Sequence, residues 1–225
     1  MKFKEIKLDS ELENYRKAIH KHIDVLFPLD YLKQGRVFGY FDRNGNICGG
    51  FALILNGPFR VIESIPNFKG FDRDPHLKKT AEITGVWLSK TDRSRFSSLR
   101  FWTKLLYKVV TSKKKYFVYA YSTKKSNLEK IYSRTKPVIL FRGHTKLLPG
   151  MDAPEHESVE VMIKSRLFTQ TLKNSDFFFK RIFVKYNLYK KNILKKDSYE
   201  ISSLPLIHNF NTSGELCQRE SKTNY

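Results

Sequence analysis

Glu82-Ile-Thr-Gly-Val-Trp-Leu88, the polar run Ser89-Lys-Thr-Asp-Arg-Ser-Arg-Phe-Ser97 and Ser98-Leu-Arg-Phe-Trp-Thr-Lys-Leu-Leu-Tyr-Lys-Val-Val110 together decide the fold. Residues 81–88 form a β-rich run. In the third segment Leu99, Trp102, Leu105, Leu106 and Val109 recur at helical spacing and predict an amphipathic helix over 98–110. A short aromatic strand, 116–121, follows. Strand, loop, helix, strand in that order predicts an α/β protein whose loop at a strand end opens a helix.

Outward from this unit, Ser10 and Glu13 make a capping-box pattern ahead of Leu12, Tyr15, Ile19, His22 or Ile23, and Leu26. A first helix that Pro28 ends is expected. Residues 37–41 and 47–55 read as a hairpin around Asn44-Gly45, a pair that tolerates the positive φ of tight turns. Residues 59–65 read as a further strand and 66–79 as an irregular connection. Residues 127–134 predict a short helix, with strands at 138–141 and 159–163. The element order α, β, β, β, loop, β, α, β, α, β, β gives an α/β (α+β) sheet protein with mixed strand directions.

Composition narrows the class. The chain has 225 residues, and 42 Lys and Arg against 22 Asp and Glu give a net charge of +20. Such a field attracts polyanions: nucleic acid, anionic lipid, a phosphorylated cofactor or an acidic protein. No apolar run approaches the roughly 20 residues that span a bilayer. The opening Met1-Lys-Phe-Lys-Glu-Ile-Lys lacks the apolar core of a signal peptide, so a cytoplasmic basic protein is expected. Cys48 and Cys217 lie far apart and form neither a disulfide framework nor a metal clip. His20, His22, His76 and His156 have no metal-ligand spacing, so no metal is expected. No Gly-x-Ser-x-Gly elbow, phosphate-loop motif or dinucleotide fingerprint occurs.

The strand 82–88, its loop and the following helix resemble those of the GNAT (GCN5-related N-acetyltransferase) superfamily, and the likeness covers about residues 1–164. That family's loop reads Gln/Arg-x-x-Gly-x-Gly/Ala, and Arg93-Ser-Arg-Phe96-Ser-Ser98 stands at the matching place. Arg93 fits the first position and Ser98 the last. Phe96 replaces the middle glycine, and its side chain hinders close approach of a diphosphate to the backbone. Arg93, Arg95, Ser97 and Ser98 would then hold phosphate by charge and hydroxyl contacts. The same residues also suit a solvated basic loop with Ser97 or Ser98 as an ordinary N-cap.

The resemblance extends to Asn127 and Tyr132, at the spacing of an Asn that starts a helix and a Tyr facing the thioester. It implies a mainly antiparallel sheet flanked by helices and a cleft where the strands 82–88 and 116–121 splay apart. Backbone N–H groups around Val86, Trp87 and Leu88 would polarise a thioester carbonyl, and Tyr132 would protonate the departing thiolate. Tyr132 also suits an ordinary amphipathic core position. Glu82, Glu63 and His144 are rival general bases, with Glu82 favoured by its place on the strand before the loop. The implied activity moves an acyl group from acyl-CoA, or from a phosphopantetheine arm on an acidic acyl carrier protein, to an amine. A GNAT-like module without catalysis that binds an anionic partner is the alternative.

Residues 165–196 carry nine basic side chains and one acidic, including Phe177-Phe-Phe-Lys-Arg-Ile-Phe-Val-Lys-Tyr-Asn-Leu-Tyr-Lys-Lys191. A basic C-terminal helix over 165–205 is expected, with a flexible tail over 206–225. Its aromatics suit packing on the domain, contact with an anionic membrane surface or, as a weaker fit, stacking on single-stranded nucleic acid.

Overall fold

The computed structural model describes residues 2–68, 76–89, 95–124 and 126–175; for residues 95–97, 126 and 127 it gives the backbone alone. The chain divides into compact units at residues 1–183 and 184–225, and every described residue belongs to the first. The expected C-terminal helix lies outside the described residues from 176 onward.

The described strands are β1 (Lys2–Ile6), β2 (Gly35–Phe41), β3 (Ile47–Ile54), β4 (Thr80–Leu88), β5 (Tyr116–Ser122), β6 (Val138–His144) and β7 (His156–Ile163). They form one sheet in the order β1-β2-β3-β4-β5-β7-β6. All neighbours are antiparallel except β4 and β5, which run parallel. The helices are α1 (Asp9–Ile23), α2 (Leu29–Lys33), α3 (Arg60–Glu63), α4 (Arg95–Thr111), α5 (Ser126–Tyr132) and α6 (Lys164–Lys173).

Alternation along the strands builds two cores. One face carries Val37, Ala52, Ile54, Trp87, Val118 and Val159 against Leu12, Tyr15 and Ile19 of α1 and Tyr31 and Leu32 of α2. The other carries Phe38, Phe51, Leu53, Ala81, Ile83, Phe117 and Tyr119 against Phe101, Leu105 and Val109 of α4 and Leu167 of α6.

Several elements differ from the sequence-based expectation. Ser10 does not cap α1, which begins at Asp9 without a side-chain cap; Glu13 instead pairs with Arg16 at 2.8 Å. The helix ends at Ile23 on Asp24 in the left-handed region, and Pro28 leads into α2. β1 is a Lys-rich edge strand too short for a periodicity signal; its Phe3 stacks on Phe38 at 5.6 Å. The run 59–65, read as a strand from its apolar residues, contains α3. The Val61 N–H in that helix's first turn donates to Glu82 Oε2 at 3.3 Å, so a carboxylate from β4 serves an orphan helix donor. α4 starts at Arg95, which puts Ser97 and Ser98 inside its first turn rather than at its cap.

The 145–155 connection is fastened to the segment between α1 and α2. Leu26 N–H donates to Gly150 O at 2.7 Å, Val25 bridges Met151, and Arg60 Nη2 donates to Pro149 O at 2.9 Å. Gly150 has φ +84°, and a Cβ there would stand 1.9 Å from Leu26 O. Gly150→Ala is therefore expected to cost about 1–3 kcal/mol, through backbone strain and loss of this clamp. A urea melt equal to that of the unsubstituted chain would refute this.

Candidate functional site

β4 and β5 pair only through Thr80, Ala81 and Glu82 with Tyr116, Phe117 and Val118. Beyond that point β4 continues to Leu88 and β5 to Ser122 without pairing to each other. Each keeps its outer partner: β3 follows β4 to Leu88, and β7 follows β5 to Ser122. The result is a wedge with strand edges as walls, where β4 and β5 share no ladder.

The β4 wall is irregular where the wedge opens. Gly50 pairs with Trp87 and Ala52 with Thr84, so the register shifts across Gly85 and Val86. Gly85 carries the strain at φ +60°, and a Cβ there would meet Ile19 Cδ1 at 2.9 Å. From α1, the Tyr15 hydroxyl donates to Gly85 O at 3.3 Å. Trp87 is buried, and His22 stacks on it with ring centroids 4.3 Å apart. Among the described residues the buried Trp87 indole N–H meets no hydrogen-bond acceptor. Val86 and Leu88 are half-buried.

Aromatic side chains and one buried acid line the β5 wall. Tyr132, half-buried at the end of α5, lies on Tyr119 at 4.9 Å and stacks on Tyr121 at 5.1 Å. Behind them Glu160 of β7, 2% exposed, accepts from Tyr119 at 2.9 Å, Tyr121 at 2.8 Å and Ser158 at 3.0 Å. Among the described residues nothing hydrogen-bonds to the Tyr132 hydroxyl. Burial first, then the Glu160 charge and Tyr121, pushes the Tyr132 phenol up to about 12.

Glu82 lies at the wedge base on the opposite sheet face. It is fully buried, accepts from the Tyr31 hydroxyl at 2.5 Å and receives the Val61 N–H on its other oxygen. Burial raises its carboxyl to about 7 despite these donors and the nearby Arg60 charge. Arg60 is itself buried, with its guanidinium 5.6 Å from the ring centroids of Phe27 and of Tyr31. Desolvation lowers the Arg60 pKa.

The structure thus places Val86, Trp87 and Leu88 at the end of β4 that has parted from β5, Tyr132 against Tyr119 and Tyr121 of β5, and Glu82 enclosed beneath α3. Glu63 is exposed on α3, and His144 is exposed at the end of edge strand β6, 5.2 Å from His156 in ring centroids. Arg93 lies outside the described residues. Arg95 and Ser97 have only their α4 backbone described, Asn127 only its α5 backbone, and Ser98 is half-buried in α4. Sequence reasoning missed Glu160, whose sole signal is alternation with Ser158 on a strand rich in acids. It also missed Tyr119 and Tyr121, whose positions mark that same face of β5. No group of three or more His, Cys, Asp or Glu among the described residues is arranged to hold a metal ion.

No protein-family model matches the chain, and no curated protein matches it in sequence. Solved structures do. FeeM, an N-acyl amino acid synthase from uncultured soil microbes, matches with a TM-score of 0.54 at 16% identity, over 78% of this chain and 98% of FeeM. A probable acetyltransferase from Staphylococcus epidermidis matches at 0.47 and 10% identity, over 72% and 98% of the respective chains. The putative acetyltransferase yncA from Salmonella typhimurium, solved with acetyl-CoA, matches at 0.45 and 10%, over 73% and 94%. The fold is that of the GNAT superfamily.

Proposed function

We propose that this chain is an acyltransferase that moves an acyl group from a thioester donor to an amine. The observation that carries the reading is the wedge itself, with a bulged β4 edge on one wall and the Tyr132 phenol on the other. A thioester laid along β4 offers its carbonyl oxygen to backbone N–H groups around Val86–Leu88, which stabilise the charge that develops there. The amine attacks the carbonyl carbon, the C–S bond breaks, and the proton lost by nitrogen ends on sulfur.

With its phenol near 12, Tyr132 is a poorer acid than a thiol of roughly 8–9. Its role is therefore to donate a hydrogen bond to the departing sulfur, staying protonated throughout, rather than to surrender its proton. Glu82, enclosed on the other face with both oxygens engaged, holds Tyr31 and α3 in place. The amine then enters as free base, the proton it sheds after attack passes to solvent, and solvent protonates the released thiolate.

The donor carries phosphate in this reading. α4, which opens beside the wedge, contains Arg95, Arg100, Lys104 and Lys108 and no acidic residue. Phe96 in place of a loop glycine favours a phosphopantetheine arm on an acidic carrier protein over tight capture of the CoA diphosphate. The basic surface equally suits a peripheral anionic membrane contact. No helix among the described residues is long and apolar enough to cross a membrane. Titration calorimetry with CoA, then with an acyl-loaded carrier protein, at two salt concentrations tests the donor. Salt-sensitive micromolar binding of the carrier protein with weaker CoA binding is expected, and no heat with either would overturn the reading.

A further inference from the structure

Three features lie outside the wedge's carbonyl site. A groove of about 820 Å³ between β1, α1 and the β2–β3 turn is lined by Lys2, Arg43 and Asn14, but its Lys4 is spent on Glu11 and its Asp42 on the turn. The exposed apolar side chains of α4 and α6 have no covering partner among the described residues. The Glu160 cluster is different, because every group in it is engaged and it abuts a proposed site residue.

We propose that Glu160 is a positioning residue for Tyr132: it ties the Tyr119 and Tyr121 phenols into a fixed platform that sets where the Tyr132 hydroxyl points. This deepens the acyltransferase reading and rests on it. β5 and β7 pair Tyr119 with Glu160 and Tyr121 with Ser158, so all four side chains share one face. A carboxylate has capacity for several acceptor bonds, and this one takes three hydroxyl donors and no cation. Such a buried acid costs desolvation energy. A merely apolar platform of two phenylalanines would avoid that cost, and so would a Gln. The hydroxyl donors fix both ring planes, and Tyr132 lies at 28° to one of them and 37° to the other. Tyr132 has no described hydrogen bond of its own, so these ring contacts are what orient it.

The elements around this cluster are tied to one another. Arg142 of β6 reaches towards the Tyr121 hydroxyl and is bonded to Glu129 of α5 at 2.6 Å. Arg134 bonds Asn174 beyond α6 at 3.4 Å and so anchors the chain just after Tyr132. No described cation pairs directly with Glu160.

The test uses the full chain and two thioester donors, one with an alkyl thiol and one with an aryl thiol of low basicity. An aryl thiolate leaves without help, so an oriented hydrogen-bond donor matters only for the alkyl donor. Glu160→Gln is expected to lower turnover of the alkyl thioester about tenfold, with KM for the donor unchanged, and to lower aryl thioester turnover less than about twofold. Combined with Tyr132→Phe, it adds no further loss. Tyr121→Phe, which leaves Glu160 in place, loses roughly threefold on the alkyl donor alone.

Equal losses on both donors, or losses that multiply with Tyr132→Phe, would make Glu160 a purely structural residue and overturn the proposal. A gain on the alkyl donor would also overturn it, since removing the charge alone makes the phenol a stronger donor. Absence of transfer by the unsubstituted chain on either donor would instead strike the acyltransferase reading, and the proposal with it.

Discussion

Tyr132→Phe lowers turnover of an alkyl thioester by about a hundredfold or more while the fold stands. A positioned hydrogen-bond donor to developing charge contributes on the order of 10²–10³ to such steps, and the Tyr132 hydroxyl is the donor to sulfur in the proposed reaction. The ring of the variant keeps its stacking on Tyr119 and Tyr121, because those contacts use the face and not the oxygen. Removing a hydroxyl with no described partner leaves no buried acceptor unsatisfied, so stability shifts by less than about 1 kcal/mol. Initial rates of thiol release beside a urea melt check both parts. A variant that turns over at the full rate would remove Tyr132 from the reaction.

The second large effect is on stability. Glu82 titrates near 7 in the folded chain against an ordinary 4.5, and burial is the main cause. Between those values the folded state holds a proton that the unfolded state has released. The stabilisation is therefore complete below about pH 4.5 and is lost as pH rises through 7. At about 1.4 kcal/mol per unit the loss is on the order of 3 kcal/mol. Glu157, also raised to about 7 by burial and by Glu155, adds a loss of the same sign.

Subtracting the stability of Glu82→Gln from that of the unsubstituted chain cancels the Glu157 contribution, which both share. The difference is expected to fall by on the order of 3 kcal/mol between pH 4.5 and pH 7.5, measured by urea melts at several pH values. A difference that stays flat with pH would show that Glu82 does not carry the raised carboxyl.

The parts of this fold that sequence exposes are those whose partner is periodicity. The strand 80–88, the helix after it and the hairpin around Asn44-Gly45 emerge from spacing and turn chemistry, because alternation and helical repeat reflect a buried face. α3 could not emerge that way. Its Phe-Arg-Val-Ile sequence favours a strand, and it is helical because Glu82, far away in sequence, receives its Val61 N–H. β1 hides for another reason: five residues with two lysines at a sheet edge carry too little apolar signal.

The site divides in the same way. Tyr132 and Val86–Leu88 stand out in local motif and order, and they fall on α5 and at the end of β4. Glu160 was not, because its importance comes from two phenols on a neighbouring strand. Glu82 stands out as an acid on the strand before the loop, and alternation puts it with Tyr31 on the face opposite Tyr132. Its two bonds place it in the frame that supports the wedge.

A thioester held in the wedge and attacked by an amine releases its thiol only when the amine is present. The decisive experiment follows thiol release from an acyl-loaded carrier protein and from acyl-CoA, with and without a panel of primary amines, including amino acids and polyamines. Thiol release that depends on the amine, with a matching amide product by mass, is the predicted result. No amine-dependent release from either donor across the panel would contradict the account.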